Sequence, residues 1–250
     1  MNEEYGKKYL NQRMKPFSME VYLDTVRRKK IIEAIRHYHA KSILDVGCGP
    51  YPLFNYLDDF DDYTTFEPIK VFYENAIKLK SLFPNKRVEI YYGKIEENGT
   101  LLRKRYDIVI ISSLLHEVSN PTDILDIVKR ISDQKTIVIA NVPNVNSFHR
   151  LLAVKSGIIT SQYEDSETDK LYQRSRHFSV DEFKKFFIQN GFSIIRAYTY
   201  FIKIFSNSQM EELLELGLIN NNILSGLEYL SELLPDVGAE IYLEAKISEY

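Results

Sequence analysis

The stretch Ile43-Leu44-Asp45-Val46-Gly47-Cys48-Gly49-Pro50 decides how this chain is read. A β-run beginning at Ser42 ends there in Gly-x-Gly. Neither glycine carries a Cβ, so the backbone can approach a ligand closely. A helix beyond the turn would present free N–H groups at the carboxyl edge of a sheet. Glu67 follows Asp45 by 22 residues, at the end of the next β-run, where a carboxylate can accept both hydroxyls of a ribose. A dinucleotide fits this loop poorly. Pro52 stands where a third glycine is needed, Asp45 stands where an apolar residue is usual, and Pro50 and Pro52 crowd the helix start that a pyrophosphate requires. A carboxylate at position 45 suits an ammonium or sulfonium ligand. The alternative is a Gly-x-Gly that merely turns the chain.

Outward from this loop, short β-runs alternate with helical stretches. The runs are Ser42–Val46, Tyr63–Glu67, Val88–Tyr92, Tyr106–Ser112, Thr136–Val142, Phe192–Tyr200 and Ala239–Ile247. Ile108-Val109-Ile110-Ile111 and Ile137-Val138-Ile139 are unbroken apolar runs, as parallel strands buried on both faces require. Helices are expected after Pro68 to Leu82, from Asn120-Pro121 to Ile131, and from the capping box at Ser179 and Glu182 to Gln189. The pattern predicts an α/β fold: a Rossmann-like, seven-stranded, mostly parallel sheet with helices on both faces. One domain over residues 1–250 is expected, with an N-terminal helical cap over 1–40. A lid-like insert over 144–178 follows the fifth strand, longer than the ~15 residues an ordinary connection needs. Part of it, Ser147 to Val154, reads as helix.

Composition narrows the function classes. The 250 residues are 44% apolar and 27% charged, with a net charge of −3. That balance opposes a general polyanion-binding surface, so no nucleic-acid partner is expected. The single cysteine excludes an internal disulfide framework and a Cys-rich zinc site. No apolar run is long enough to span a bilayer, and residues 1–20 lack a signal-peptide core, so no membrane partner and a cytoplasmic location are expected.

LDVGCGP (44–50), the acid Glu67, and YDIVIISSLLHEV (106–118) together resemble the class I S-adenosylmethionine-dependent methyltransferases, over roughly residues 40–200. The resemblance implies S-adenosylmethionine as cofactor and S-adenosylhomocysteine as product. It implies that Asp45 organises the methionine amino end, that Gly47 and Gly49 pass under the ligand, and that Cys48 is a small spacer between them. Glu67 would hold the ribose, with Pro68 and Ile69 beside the adenine. Relatives often carry an acid after the third strand; here Lys94 takes its place, leaving adenine recognition to the Ile95 amide or to Glu96. Ser112, Ser113 and Leu114 would lie along the methionine part, and His116 and Glu117 where this segment meets the substrate. Tyr9 and Arg13 are either a cover over the cofactor or a solvated helix face.

A weaker similarity links VPNVNSFHRLLAVKSGII (142–159), RHFSVDEFKKFFIQNGF (176–192), SNSQMEELLELG (206–217) and PDVGAEIYLEA (235–245) to methyltransferases of surface-polysaccharide and activated-sugar pathways. It points to a small-molecule acceptor, most simply a hydroxyl on a sugar or a nucleotide-linked or phosphorylated sugar. An alcohol must lose its proton as it attacks. Of the five histidines, His37 and His39 read as solvent-facing. His116, His149 and His177 fall at or after strand ends; His116 is the first choice as general base, with His149 and His177 sharing the role or binding substrate. A structural hydrogen bond is the alternative for His116. Asn144, Arg150, Arg174 and Arg176, with Glu117, complete the substrate set. The arginines either bind an anionic acceptor or pair with the acidic run Glu164-Asp165-Glu167-Asp169. No His/Asp/Glu spacing forms a metal box; Asp58-Asp59 and Asp61-Asp62 read as a solvated loop.

The rival readings are an RNA or protein methyltransferase, a non-catalytic binding module of the same fold, and lastly a nicotinamide oxidoreductase. Ser112-Ser113-Leu114-Leu115 stands where amino-group nucleic-acid methylation uses Asn/Asp-Pro-Pro-Tyr/Phe. The helices of residues 208–234 could cover the sheet edge, close over substrate or mediate an oligomer.

Overall fold

The two unbroken apolar runs lie at the centre of a seven-stranded sheet. The computed structural model describes residues 3–102, 104–166, 169–170 and 176–249. Its strands are β1 (Ser42–Val46), β2 (Asp62–Glu67), β3 (Arg87–Tyr92), β4 (Ile108–Ser112), β5 (Ile137–Pro143), β6 (Phe192–Tyr200) and β7 (Glu240–Ile247). Their spatial order is β3-β2-β1-β4-β5-β7-β6. The first five strands pair in parallel. β7 slots between β5 and β6, antiparallel to both. Strand order reverses between β1 and β4, and the carboxyl edge at such a switch point is where open α/β sheets bind ligands.

Helices cover both faces: α1 (Glu3–Arg13), α2 (Met19–His37), α3 (Lys70–Lys80), α4 (Ile95–Asn98), α5 (Pro121–Ile131), α6 (Phe148–Lys155), α7 (Val180–Gln189), α8 (Asn207–Glu215) and α9 (Asn221–Leu230). Side chains alternate across the strands. Ile43, Ile108, Ile110 and Ile139 therefore pack with Leu23, Ile31 and Ile35 of α2 on one face. Leu44, Val109, Ile111 and Val138 pack with Ile124 and Val128 of α5 and Phe183 and Phe187 of α7 on the other. Each such side chain contributes about 1.5–3 kcal/mol by leaving water, which makes this register hard to shift. The capping box is formed as expected: Ser179 Oγ accepts from Glu182 N, and Glu182 takes the Ser179 amide.

One expectation is corrected. No α-helix follows the glycine loop; a single 3-10 turn, Leu53–Tyr56, stands in its place. Pro52 disfavours helical backbone at Tyr51 and itself sits extended, with ψ of 130°, and the Pro50 carbonyl accepts from Asn75 Nδ2 at 2.9 Å. The helix N-terminus expected beside the ligand is therefore missing. The insert leaves and rejoins the fold at one point. Asn144 and Phe178 form a parallel bridge, with Val145 N donating to Phe178 O at 3.0 Å.

Candidate active site

The loop after β1 owes its shape to its two glycines. Gly47 and Gly49 have φ of +85° and +59°, the left-handed region that favours glycine. Gly47 N donates to Phe66 O, and Gly49 N donates to Glu67 Oε2 at 2.9 Å. Glu67 Oε1 accepts from Ile69 N at 2.8 Å. Two backbone amides thus fix the Glu67 carboxylate at the carboxyl edge, where Cys48 Sγ lies 3.9 Å from it. Asp45 projects from β1 into the same region and accepts from the Tyr63 hydroxyl.

Both acids are buried, and neither has an ion-pair partner among the described residues. Burial pushes the Asp45 carboxyl up to about 7; the Tyr63 hydroxyl bond opposes this and nearby Glu67 adds to it. Burial likewise raises Glu67 to about 7, against the pull of the Ile69 and Gly49 amides. Two uncompensated carboxylates of this kind fit a ligand that brings positive charge and hydrogen-bond donors. Burial also raises the Cys48 thiol well above its ordinary value, so it stays protonated and is no nucleophile.

Asp45, Gly47, Cys48, Gly49, Glu67 and Pro68 line a first cavity, joined by Ile95 and by Ser112, Ser113 and Leu114 from the end of β4. Lys94 and Glu96 lie on its wall as well. Ser113 adopts φ of +52°, held by its amide donating to Asn141 O and Asn141 Oδ1, both at 3.0 Å. Tyr9 of α1 is also in the wall. Arg13 is not: its guanidinium sits 3.5 Å over the Tyr9 ring and donates to Asp24 Oδ2 at 2.7 Å, buried behind the cavity. Sequence reasoning missed Tyr5, Asp24, Arg27 and Arg28, which line this cavity from α1 and α2.

A second cavity, about 790 Å³ against about 170 Å³ for the first, is lined by His116, His149 and His177. They come from two connections, His116 from the one after β4 and His149 and His177 from opposite ends of the insert after β5. His116 is 1% exposed, with Nε2 3.6 Å from Glu117 Oε1, while its carbonyl accepts from Arg176 N. His177 Nε2 lies 3.5 Å from Asp165 and 3.7 Å from Asp169. Burial depresses His149 well below the ordinary histidine value, and nearby Lys203 and Arg150 add to the shift.

The expected substrate residues divide. Arg176 lines the second cavity and is exposed there. Arg150 lines it too, yet its guanidinium is taken up by the chain, donating to Gln162 O at 2.7 Å, Asp169 Oδ2 at 3.2 Å and Glu164 O. Of its two readings, pairing with the acidic run is the one formed. Asn144 is also engaged: Nδ2 donates to Asp236 O and Gly238 O, and Oδ1 accepts from Asn146 N. Glu117 faces the first cavity, not the second, and accepts from Tyr5 Oη. Arg174 lies outside the described residues.

The two cavities share a wall. Arg27 lines the first and Glu240 the second, and Arg27 Nη2 donates to Glu240 Oε1 at 3.0 Å. His116 and Glu117, consecutive in the chain, face the second and the first.

Comparison with known proteins accords with this arrangement. A family model described as a methyltransferase domain matches residues 22–197. No curated protein matches the chain. Among solved structures, the plantazolicin methyltransferase BamL, in complex with a triazolic desmethylPZN analog and SAH, is 16% identical with a TM-score of 0.57. That match covers 99% of this chain and 98% of BamL. Magnesium protoporphyrin IX methyltransferase (ChlM) from Synechocystis PCC 6803, with bound SAH, is 12% identical with a TM-score of 0.55, covering 88% and 82%. The mitomycin 7-O-methyltransferase MmcR is 14% identical with a TM-score of 0.58, covering 96% of this chain and 60% of its own. The fold, the matched family and the acid-lined glycine loop agree: the chain belongs to the methyltransferase domain family and is a class I S-adenosylmethionine-dependent methyltransferase.

Proposed function

We propose that this enzyme methylates a hydroxyl of a small polar acceptor, a sugar or a nucleotide-linked or phosphorylated sugar. In this reading the cofactor occupies the first cavity and the acceptor the second. The observation that carries the proposal is the convergence of His116, from the connection after β4, with His149 and His177, from opposite ends of the insert after β5, on one cavity that shares a wall with the acid-lined glycine loop. A volume of about 790 Å³ lies towards the upper end of small-molecule sites, roughly 300–1,000 Å³, and suits an acceptor larger than a single hexose. The surface-polysaccharide setting and a cytoplasmic location belong to the same reading and rest on the sequence pattern.

When bound, S-adenosylmethionine supplies a methyl group already activated on a sulfonium. The chain's residues then have three tasks. Asp45 and Glu67 hold the cofactor's cationic and hydroxyl groups, and the β1 loop passes beneath it. The second cavity orients the acceptor and excludes water, which is the main source of rate in such a displacement. His116 takes the acceptor's hydroxyl proton, with the Glu117 carboxylate 3.6 Å from Nε2 to stabilise the resulting cation. The insert over residues 144–178, fastened at its two ends, serves as the lid of the acceptor cavity.

The test is an S-adenosylhomocysteine-release assay with a panel of sugars, sugar phosphates and nucleotide sugars, repeated on His116→Asn. Turnover on a hydroxylated acceptor that drops about 100-fold or more in the variant, with cofactor affinity unchanged, supports the assignment. Turnover unaffected by His116→Asn removes it as the base, and methylation of protein or RNA alone replaces the acceptor class.

A further inference from the structure

Helix α6 has the composition to bury an apolar face and does not bury one. Its sequence, FHRLLAVK, is mostly apolar, and such a helix ordinarily packs an apolar stripe against the core. None of its residues is buried. Leu152 and Ala153 stand three and four residues after His149, so the three share one face of the helix, and all three line the second cavity. The helix end extends that face. Gly157, at φ of +70°, turns the chain so that Ile158 N donates to Ala153 O at 2.9 Å and Gly157 N to Val154 O at 3.0 Å. An apolar residue after such a glycine commonly packs back on the helix. Here Ile158 stays 75% exposed, and it and Ile159 join Leu152 and Ala153 in lining the cavity.

Ile204 and Phe205 line the same cavity, and Phe205 is 40% exposed. They follow Lys203, whose charge acts on His149, so this segment lies within electrostatic reach of the α6 face. Several polar side chains of the cavity are meanwhile spent inside the chain. Glu20 takes Asn207 Nδ2 at 2.6 Å, Glu240 takes Arg27 at 3.0 Å, and Arg150 is held by Gln162 O and Asp169. Much of what the cavity offers an acceptor beyond the histidines is therefore hydrocarbon. Apolar side chains scattered singly over a surface need no occupant; a set drawn together in the cavity of the reacting group does. All but Phe205 are aliphatic, with no ring face on which to stack a planar group, which suits a flexible hydrocarbon chain.

We propose that the acceptor is an amphiphile, with a hydroxylated head that meets His116 and an aliphatic chain that lies over Leu152, Ala153, Ile158, Ile159 and Phe205. The inference rests on the reading that the acceptor occupies the second cavity. It narrows the acceptor from a sugar at large to a sugar bearing a hydrocarbon substituent, and it gives the bare face of α6 its cover.

The experiment is calorimetric titration of the full chain, loaded with S-adenosylhomocysteine, with methyl, hexyl, heptyl and octyl β-D-glucosides, each below the concentration at which it forms micelles. Affinity that rises about three- to fourfold per added methylene, with that dependence lost in Leu152→Ser and in Ile158→Ser, supports the proposal. Affinity independent of chain length, no binding of any glucoside, or a dependence kept in both variants overturns it. Sedimentation with phosphatidylcholine–phosphatidylglycerol vesicles is run in parallel. Vesicle binding that is lost in Ile158→Ser, with no affinity for the monomeric glucosides, would make this a membrane-docking face and also overturn it. Circular dichroism and S-adenosylhomocysteine affinity confirm that the variants fold. Turnover of unsubstituted sugars or nucleotide sugars that depends on His116, with no gain from an alkyl chain, removes the hydrocarbon portion alone. Failure of the unaltered chain to bind S-adenosylhomocysteine strikes the methyl-transfer reading, and this proposal with it.

Discussion

Tyr5 Oη donates to Glu117 Oε2 across 2.7 Å, so the N-terminal helix is fastened to the segment that closes β4. The same helix is held at its far end by Arg13 on Asp24, and Tyr5 and Tyr9 pack with Ile69 and Phe72 beside the loop after β2. The approach is close: a Cβ at Gly6 would lie 2.8 Å from Ile69 Cγ2. Helix α1 therefore roofs the first cavity and touches the residue next to His116.

Removing that fastening is expected to loosen the roof without unfolding the sheet. Tyr5→Phe deletes one hydrogen bond to a carboxylate, about 1.5–3 kcal/mol. S-adenosylhomocysteine should leave roughly ten times faster in stopped-flow displacement, with the circular dichroism of the fold retained and the melting temperature lowered by several degrees. An unchanged release rate would mean that α1 is no barrier to the cofactor.

The two buried carboxylates predict a pH dependence whose sign is fixed by their raised pKa values. Asp45 and Glu67 both titrate near 7 in the ligand-free fold, above their unfolded values of 3.8 and 4.5. Between about pH 4 and 7 the folded state therefore binds more protons than the unfolded one, and ligand-free stability falls as pH rises through that window. The loss amounts to several kcal/mol for the pair. Cofactor binding runs the other way. It needs the ionised forms, so affinity should weaken below pH 7, and proton release should be seen near pH 7 in buffers of different ionisation enthalpy. Melting curves flat from pH 5 to 7.5, with no proton release, would contradict this.

Arg27 is buried between Asp24 and Glu240, with Nη1 2.9 Å from Asp24 Oδ1. Glu240→Ala would leave that charge without one of its two partners and is expected to cost about 3–5 kcal/mol in chemical denaturation. Arg27→Met with Glu240→Leu removes both charges and should cost less than Glu240→Ala alone. A double variant as unstable as the sum of its parts would show that this wall is held by packing.

Much of this was legible locally, and what was not has a physical cause. The apolar runs of β4 and β5, the Gly-x-Gly turn and Glu67 are contiguous signals, each readable within about ten residues. The missing helix after the loop has a local cause too, since Pro50 and Pro52 crowd its start and a single 3-10 turn stands in its place. Helix α2 places Glu20, Asp24, Arg27 and Arg28 at helical spacing, which reads as a solvated face. Only docking on the sheet turns that face inward, where Arg27 meets Glu240, 213 residues away in the chain. Arg150 stays open in the sequence for the same reason: its choice between ligand and acidic run depends on a turn of the insert that local pattern does not fix.

The central claim is that Asp45 and Glu67 hold S-adenosylmethionine at the β1 loop. Calorimetric titration with S-adenosylmethionine, S-adenosylhomocysteine and NAD, repeated on Glu67→Ala, tests it most directly. Binding of the two sulfur compounds and not of NAD, weakened about 100-fold in the variant, is the predicted result. Full affinity in Glu67→Ala, or no binding of either sulfur compound to the unaltered chain, would contradict it.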